Sequence, residues 1–280
     1  MNFREFASVN GLIIDRLYQD GRWHRVPTLD KPRKRNGAYL FDGNRGVVKN
    51  WATMEGFASW REDGVTRANV GERQIRDMEE AQREKDRKYA QAAQKASLML
   101  SNAEMASHHY LAKKGFPKAS GLVLDGNLLI PMRDYKTKEI ISLQMIAENG
   151  EKKFLPGGRA KGAVFVIGQK PNAERWLVEG FATGLSVMEA LRGMYREAEV
   201  WVCFSAGNLQ YIAERIGGKR FVVADHDKSC TGERVAKATG LPWGMPPEEG
   251  EDANDLHKNK GIWNLISLLR EIAAQQTVSI

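Results

Sequence analysis

Through the carboxyl-terminal part of the chain, apolar residues come in short blocks separated by amphipathic stretches. Trp176–Val178, Val200–Phe204 and Phe221–Ala224 are nearly continuous apolar runs. Each precedes a segment of helical periodicity, Ala182–Arg192, Leu209–Ile216 and Glu233–Thr239, and Ile262–Ala274 closes the series. A strand buried on both faces reads as such a run. Strand alternating with helix predicts a parallel sheet with flanking helices, an α/β architecture, over residues 171–280. Residues 109–170 change pattern: strand-like runs at Leu122–Leu124, Leu128–Met132, Ile140–Ile146 and Val164–Ile167 follow one another in a mixed β-rich segment. Residues 1–62 read as a small β-rich amino-terminal unit, with strands at Arg22–Val26, Ala38–Phe41 and Val47–Trp51 and a hairpin turn at Asp42-Gly43-Asn44. Residues 63–108 are dense in charge. Glu72/Arg76, Glu79/Arg83 and Glu84/Lys88 place acid before base at i,i+4, the stabilising order on a helix. Because the two signs nearly balance, a solvated connecting helix from Val70 to about Met105 is expected rather than a DNA-binding arm.

Two apolar runs stop on carboxylates, at Leu177-Val178-Glu179-Gly180 and at Val223-Ala224-Asp225-His226-Asp227. Open α/β sheets bind ligands beyond the carboxyl ends of their strands, so both sets are expected to line one crevice. If Asp225 and Asp227 continue an extended segment, the two-residue period points both to one side and turns His226 away. Like charges so close raise one pKa unless a cation lies between them. An oxygen-only cluster suits Mg²⁺ or Mn²⁺, which keep waters and reach protein through one or two carboxylates plus substrate phosphates. The implied substrate is a nucleotide or a nucleic-acid backbone. Gly180, Gly184 and Gly232 are expected to let the chain turn sharply from strand into helix.

Composition adds bounds. With 280 residues, 42% hydrophobic, the chain can bury the core of one large domain or two small ones. A formal charge of +7 points to a polyanionic partner. Cys203 and Cys230 are the only cysteines and have no Cys-x-x-Cys spacing, so no zinc is expected, and Cys203 reads as core. The first residues lack a secretory pattern and no apolar run reaches membrane-spanning length, so a cytoplasmic protein with no membrane partner is expected. Lys31, Arg33, Lys34 and Arg35 lie near Trp23, Tyr39, Trp51 and Trp60, which serve either as a single-strand-binding surface or as the core of a small sheet. Lys152, Lys153, Arg159 and Lys161 flank Pro156-Gly157-Gly158, where glycines permit close approach and cations suit phosphates. Asn208 opens a helix as a cap or as a substrate contact. No Gly-x-x-x-x-Gly-Lys-Ser/Thr motif is present, so any helicase is expected to be a separate partner.

Glu179-Gly180-Phe181-Ala182-Thr183-Gly184, then Asp225-His226-Asp227, then Glu251-Asp252-Ala253-Asn254-Asp255-Leu256 follow the order and spacing of the Toprim domain of primases, topoisomerases and some nucleases, which they resemble. With Ser205-Ala206-Gly207-Asn208-Leu209, the spelling is most similar to primases of conjugative plasmids and phage-type primase-helicases. Upstream, Leu128–Asp134, Ile141–Gln144 and Lys153–Gly158 resemble the segment that precedes Toprim in bacterial-type primases. The resemblance implies a Toprim-like parallel sheet and a DNA primase, which joins ribonucleoside triphosphates into short RNA primers on a single-stranded DNA template. It implies catalytic roles for Glu179, Asp225 and Asp227, with Glu179 either a metal ligand or the base. It also assigns Asp252 and Asp255 to the third acidic motif, Asp255 being a further ligand or a helix cap. A Toprim nuclease and a non-catalytic DNA-binding replication accessory are the alternatives.

Overall fold

A computed structural model describes residues 1–61, 70–168, 170 and 173–278. The chain divides into two compact units, Met1–Asp86 and Arg87–Ile280. In the first, helix α1 (Phe3–Val9) accompanies strands β1 (Trp23–Val26), β2 (Gly37–Phe41), β3 (Arg45–Asn50) and β4 (Ala58–Arg61), an antiparallel sheet in that order. The expected turn joins β2 to β3: the Asp42 carboxylate accepts from the amides of Asn44 at 2.9 Å and Arg45 at 2.7 Å, and Gly43 has φ +102°. Phe3 stacks on Phe41 with ring centroids 4.4 Å apart. Tyr39 is buried and the Trp60 indole donates to the Met1 carbonyl at 2.9 Å, so both belong to this core. Trp51 stays exposed beneath the Arg25 guanidinium, 4.0 Å from its ring. Tyr39 and Trp60 therefore belong to the core of the small sheet, whereas Trp51 does not.

The boundary between units falls within helix α2 (Val70–Ser101). Glu79 and Arg83 approach to 3.8 Å as expected, whereas the Glu72 and Arg76 side chains lie outside the described residues. The helix is not solvated all round. Ala92 and Ala96 are buried against Leu129, Leu143 and Leu155 of the second unit, small side chains that let the helix lie close.

The second unit continues with β5 (Glu104–Ser107), α3 (His109–Lys113), β6 (Ser120–Leu124), β7 (Asn127–Asp134), β8 (Ile140–Ile146), β9 (Lys152–Phe154) and β10 (Ala163–Ile167). Alternation follows: β11 (Glu174–Val178), α4 (Phe181–Gly193), β12 (Ala198–Val202), α5 (Ala206–Ala213), β13 (Arg220–Val223), α6 (Thr231–Thr239) and β14 (Trp243–Gly244), then α7 (Ala253–Lys260) and α8 (Ile262–Ala274). All ten strands form one sheet, ordered β14-β13-β11-β12-β10-β7-β6-β5, with β8 joining β7 to β9. β14, β13, β11 and β12 are parallel neighbours, and β10 pairs antiparallel with both β12 and β7. The β-rich segment and the alternating segment therefore share a single mixed sheet.

Side chains along each parallel strand alternate between two cores. Trp176, Val178, Val200, Val202, Phe221 and Val223 face one cluster, while Leu177, Trp201, Cys203, Val222 and Ala224 face the other. Residues of α4, α7 and α8 complete the first, and those of α5 and α6 the second. This is the period-2 consequence of strands covered on both faces. Among the described residues, no helix is long and apolar enough to cross a membrane.

Gly180 stands at the turn from β11 into α4 as expected, while Gly184 and Gly232 lie inside their helices and act by close packing. Gly180 is an extended N-cap with φ −101°, and neither Gly184 nor Gly232 has positive φ. A Cβ on Gly184 would lie 2.7 Å from Val202 Cγ2 and 3.2 Å from Ile167 Cδ1; one on Gly232 would lie 2.3 Å from the Asp225 carbonyl oxygen. For Gly184→Ala, the gain in helix propensity of about 1 kcal/mol opposes an overpacking cost of about 1–3 kcal/mol. Because Val202 sits in a paired strand and cannot retreat, the cost should win, giving a lower urea midpoint with an unchanged slope. An unchanged or higher midpoint would show that the helix is free to lift.

Candidate functional site

Glu179 directly follows β11 and Asp225 lies two residues past the end of β13, the neighbouring parallel strand. They line one small cavity with Ala206, Gly232 and Val235. The Asp225 carboxylate is drawn inward; its Oδ1 is buried and has no hydrogen-bond partner. Burial, then the charges of Asp252 and Glu179, raise its pKa to about 7. Burial and the charge of Asp227 raise that of Glu179 above the usual carboxylate range, against a hydrogen bond from the Ala206 amide and the pull of Lys152.

Asp227 is placed differently from the shared orientation expected. The strand ends at Val223, so the two-residue period stops before Asp227 and the chain bends toward α6. Its carboxylate accepts from the Ser229 hydroxyl, the Gly232 amide at 2.9 Å and the Thr231 amide at 3.2 Å. These bonds hold its pKa at about 2. Asp227 is thus an anchored anion whose charge acts on Glu179 and Asp225 from nearby. His226 makes a hydrogen bond through Nδ1 to the Pro246 carbonyl at 2.9 Å.

The third acidic motif opens α7. Asp252 is the N-cap, accepting from the amides of Asn254 at 2.7 Å and Asp255 at 2.9 Å, while Asp255 closes a capping box on the Asp252 amide at 3.3 Å. Asp255 also faces Lys114 at 3.7 Å. Of the pair, it is Asp252 whose charge bears on Asp225, more than Glu179 does. The signal was available: an Asp three residues before another Asp at a helix start is a capping pattern.

Lys152 is the one flanking cation whose charge registers on these acids. Burial and Lys114 lower its pKa, while Asp252, Asp225 and Glu179 oppose them. Its ammonium lies 5.7 Å from the centroid of Tyr110, a buried residue without a conspicuous sequence signal. Lys153 pairs with Glu151 at 3.0 Å, Arg159 with Asp134 at 2.6 Å, and Lys161 lies 4.7 Å from the Tyr211 ring. A Cβ on Gly158 would collide with Ser142, so this glycine packs its loop onto β8.

Asn208 is neither cap nor exposed contact. Ser205 caps α5, and buried Asn208 accepts from the Gly162 amide at 2.8 Å while donating to the Ala163 and Cys203 carbonyls at 2.8 and 2.7 Å. With both donors used and its oxygen engaged, it ties the loop before β10 to the end of β12 and has no donor left for a substrate. Lys31, Arg33, Lys34 and Arg35 belong to the other unit, where Arg33, Lys34 and Arg35 are exposed.

Among the described residues, no three His, Cys, Asp or Glu side chains converge closely enough to enclose a metal ion unaided. The donors nevertheless fit a hard divalent cation: an unpartnered buried carboxylate oxygen on Asp225, with Glu179 and Asp252 adding negative charge. Such ions are completed by water and substrate oxygens.

Residues 174–262 match the family model of the Toprim domain. The DNA primase TraC of Escherichia coli is 30% identical over 219 residues, an alignment spanning 71% of this chain and 20% of that protein. Two of the solved structures that this chain matches involve the bacteriophage T7 primase. The primase fragment of its primase-helicase is 18% identical over 60% of this chain and 74% of that one, with TM-score 0.43. A chain from the structure of the T7 lagging-strand DNA polymerase interacting with primase domains of two gp4 subunits bound to an RNA/DNA hybrid and dTTP is 15% identical over 60% of this chain and 92% of that one, also with TM-score 0.43. The DnaG catalytic core is 17% identical, over 52% of each chain, with TM-score 0.36.

The raised pKa of Asp225 has a consequence with a definite sign. Relative to an ordinary value of 3.8, a folded value of about 7 contributes stability that is fully present below pH 3.8 and lost as pH rises through 7. Asp225→Asn, neutral throughout, should match the wild type in melting temperature near pH 4, gain on it as pH rises, and hold a constant advantage above pH 8 in chelator. A difference independent of pH would mean that Asp225 is solvated.

Proposed function

We propose that this chain, which carries a Toprim domain and resembles the primases of plasmids and phages, joins ribonucleotides into short primers on single-stranded DNA with Mg²⁺ or Mn²⁺. The observation that carries the reading is the buried, unpartnered Asp225 carboxylate beside Glu179 in one cavity just beyond the ends of β11 and β13, with the charges of Asp252 and Lys152 bearing on it. Phosphoryl-transfer sites mainly position metals and neutralise developing charge, and this set has the charge for both. Because the chain spans about a fifth of the TraC primase, template choice and any separate helicase partner are part of the proposal.

Asp225, with Glu179 and Asp252 beside it, would hold the cation, which when bound offsets charge on the reacting phosphates. Glu179, whose raised pKa supports a base role, would accept the proton of an attacking 3′-hydroxyl. Lys152 offers its ammonium to the same phosphates. Asp227 holds the turn into α6, and Gly232 lets that helix touch the Asp225 backbone. Lys153, Arg159 and Lys161, and Lys31, Arg33, Lys34 and Arg35 of the other unit, are the candidates for template phosphates.

Incubation with single-stranded DNA, Mg²⁺ or Mn²⁺ and labelled ribonucleoside triphosphates should yield short products on sizing. Glu179→Gln should lower the joining rate by about 10²- to 10⁴-fold, the usual scale for loss of a general base. Asp252→Asn keeps a good N-cap, so it isolates charge from folding; it should lower joining more than Asp255→Asn does. Strand cleavage without nucleotides would favour the nuclease, strand binding with neither reaction the accessory. Equal losses at Asp252 and Asp255 would return both to a capping role.

A further inference from the structure

On the sheet face that carries α5 and α6 lies a groove of about 980 Å³, built at the opposite end of β11 from the carboxylates. Arg175, near the start of β11, lines it; Glu179 lies four residues on, roughly 13 Å at the rise of a strand. The floor is Val164 and Val166 of β10 with Trp201 of β12. One wall is the turn from β7 to β8, with Arg133, Lys136 and Lys138; the other is the end of α5 and the approach to β13, with Arg215 and Gly217.

Cations line both walls, and among the described lining residues Glu199 is the single acid. Its carboxylate is already engaged, accepting from the Trp201 indole at 3.0 Å and facing Arg175 Nε at 3.7 Å. That Nε is buried without a hydrogen-bond partner. Lys138 and Arg175 crowd the same ring: the ammonium lies 4.6 Å and the guanidinium carbon 5.5 Å from the Trp201 centroid. Burial lowers the Lys138 pKa against the pull of Glu199, and the Arg175 charge adds to the lowering; an anion in the groove would offset that repulsion between the two cations. Trp201 is 4% exposed, so its covered ring offers no platform for a base. What the groove presents is spaced positive charge over an apolar floor, which suits consecutive phosphates of a flexible strand better than one compact anion.

We propose that this groove binds single-stranded nucleic acid through its phosphate backbone, without reading bases, at a site separate from the carboxylate crevice. The inference goes beyond the primase reading and is tested by binding alone, so a protein that joins no nucleotides still tests it. Binding of a labelled oligodeoxythymidylate to the full chain is measured across a salt series, in chelator and without nucleotides. Lys136 is exposed, and Arg215 bonds only its own helix and the adjacent Glu214; Lys136→Ala with Arg215→Ala should therefore leave the fold intact, checked by an unchanged melting temperature. If each cation neutralises one phosphate, the log–log salt slope should fall by about 1.4, at roughly 0.7 per phosphate on single strands. Lys95→Ala with Lys118→Ala removes equal charge from exposed positions outside the groove and should leave the slope unchanged. An unaltered slope in the groove variant, or an equal fall in the control, overturns the proposal. So does weaker binding of a free ribonucleoside triphosphate in the groove variant with strand binding intact, which would give the groove to a free nucleotide.

Discussion

The site depends on β11 being paired in parallel on both sides at once. Leu177 stands opposite Trp201 of β12 and Val222 of β13, so the three strands are held in one register. A strand in that position has no wet face, and its side chains must alternate between two cores, which requires helices on each side. Backbone bonding continues past the strand end: the Cys203 amide donates to the Val178 carbonyl at 2.9 Å and the Phe204 amide to that of Glu179 at 2.8 Å. Glu179 is therefore fixed by its main chain just where the chain turns into α4. Phe204 sits at φ +66°, a conformation costly for a bulky residue, held by the surrounding structure.

Charge is handled oppositely at the two ends of β11. At the amino end, Glu174 is bonded by Arg196 at 2.8 and 2.7 Å and faces Lys219 at 2.7 Å; burial opposes ionisation, but these partners hold its pKa at about 2. At the carboxyl end, Asp225 is buried with no such partner and its pKa rises to about 7. A carboxylate left short of positive charge is destabilised unless a cation arrives, and such unfavourable placement is characteristic of functional sites. Partial compensation comes from Lys152 on β9, which reaches the acids because the antiparallel strands and the parallel strands belong to one sheet.

The alternation of β11–α4, β12–α5 and β13–α6 was legible because doubly covered strands leave continuous apolar runs, and the helices between them keep their own period. Elements without such patterns were not legible. β4, β5 and β9 are short and largely exposed, so burial imposes no pattern on them, and α1 is a seven-residue helix set by the Asn2–Glu5 capping box. The extension of a two-residue period to Asp227 failed for a local reason: the strand had ended, and Ser229 and Gly232 offered the carboxylate nearer partners. Asn208 was misread because its three partners, Gly162, Ala163 and Cys203, are brought to it only by the sheet.

By itself, then, the sequence determined which segments are strands and helices through the middle of the second unit, that the sheet there is parallel, and that acids follow its strand ends. These follow from local periodicity and from where apolar runs stop. Only the tertiary structure decided which acid faces inward, that Asp252 rather than Asp255 bears on it, that Lys152 stands among them, and that cations from β7–β8, β11 and α5 line one groove. Electrostatic interaction acts through space, and the groups concerned are separated by up to about a hundred residues in sequence. Their mutual distances, and hence their ionisation, exist only once the sheet has formed.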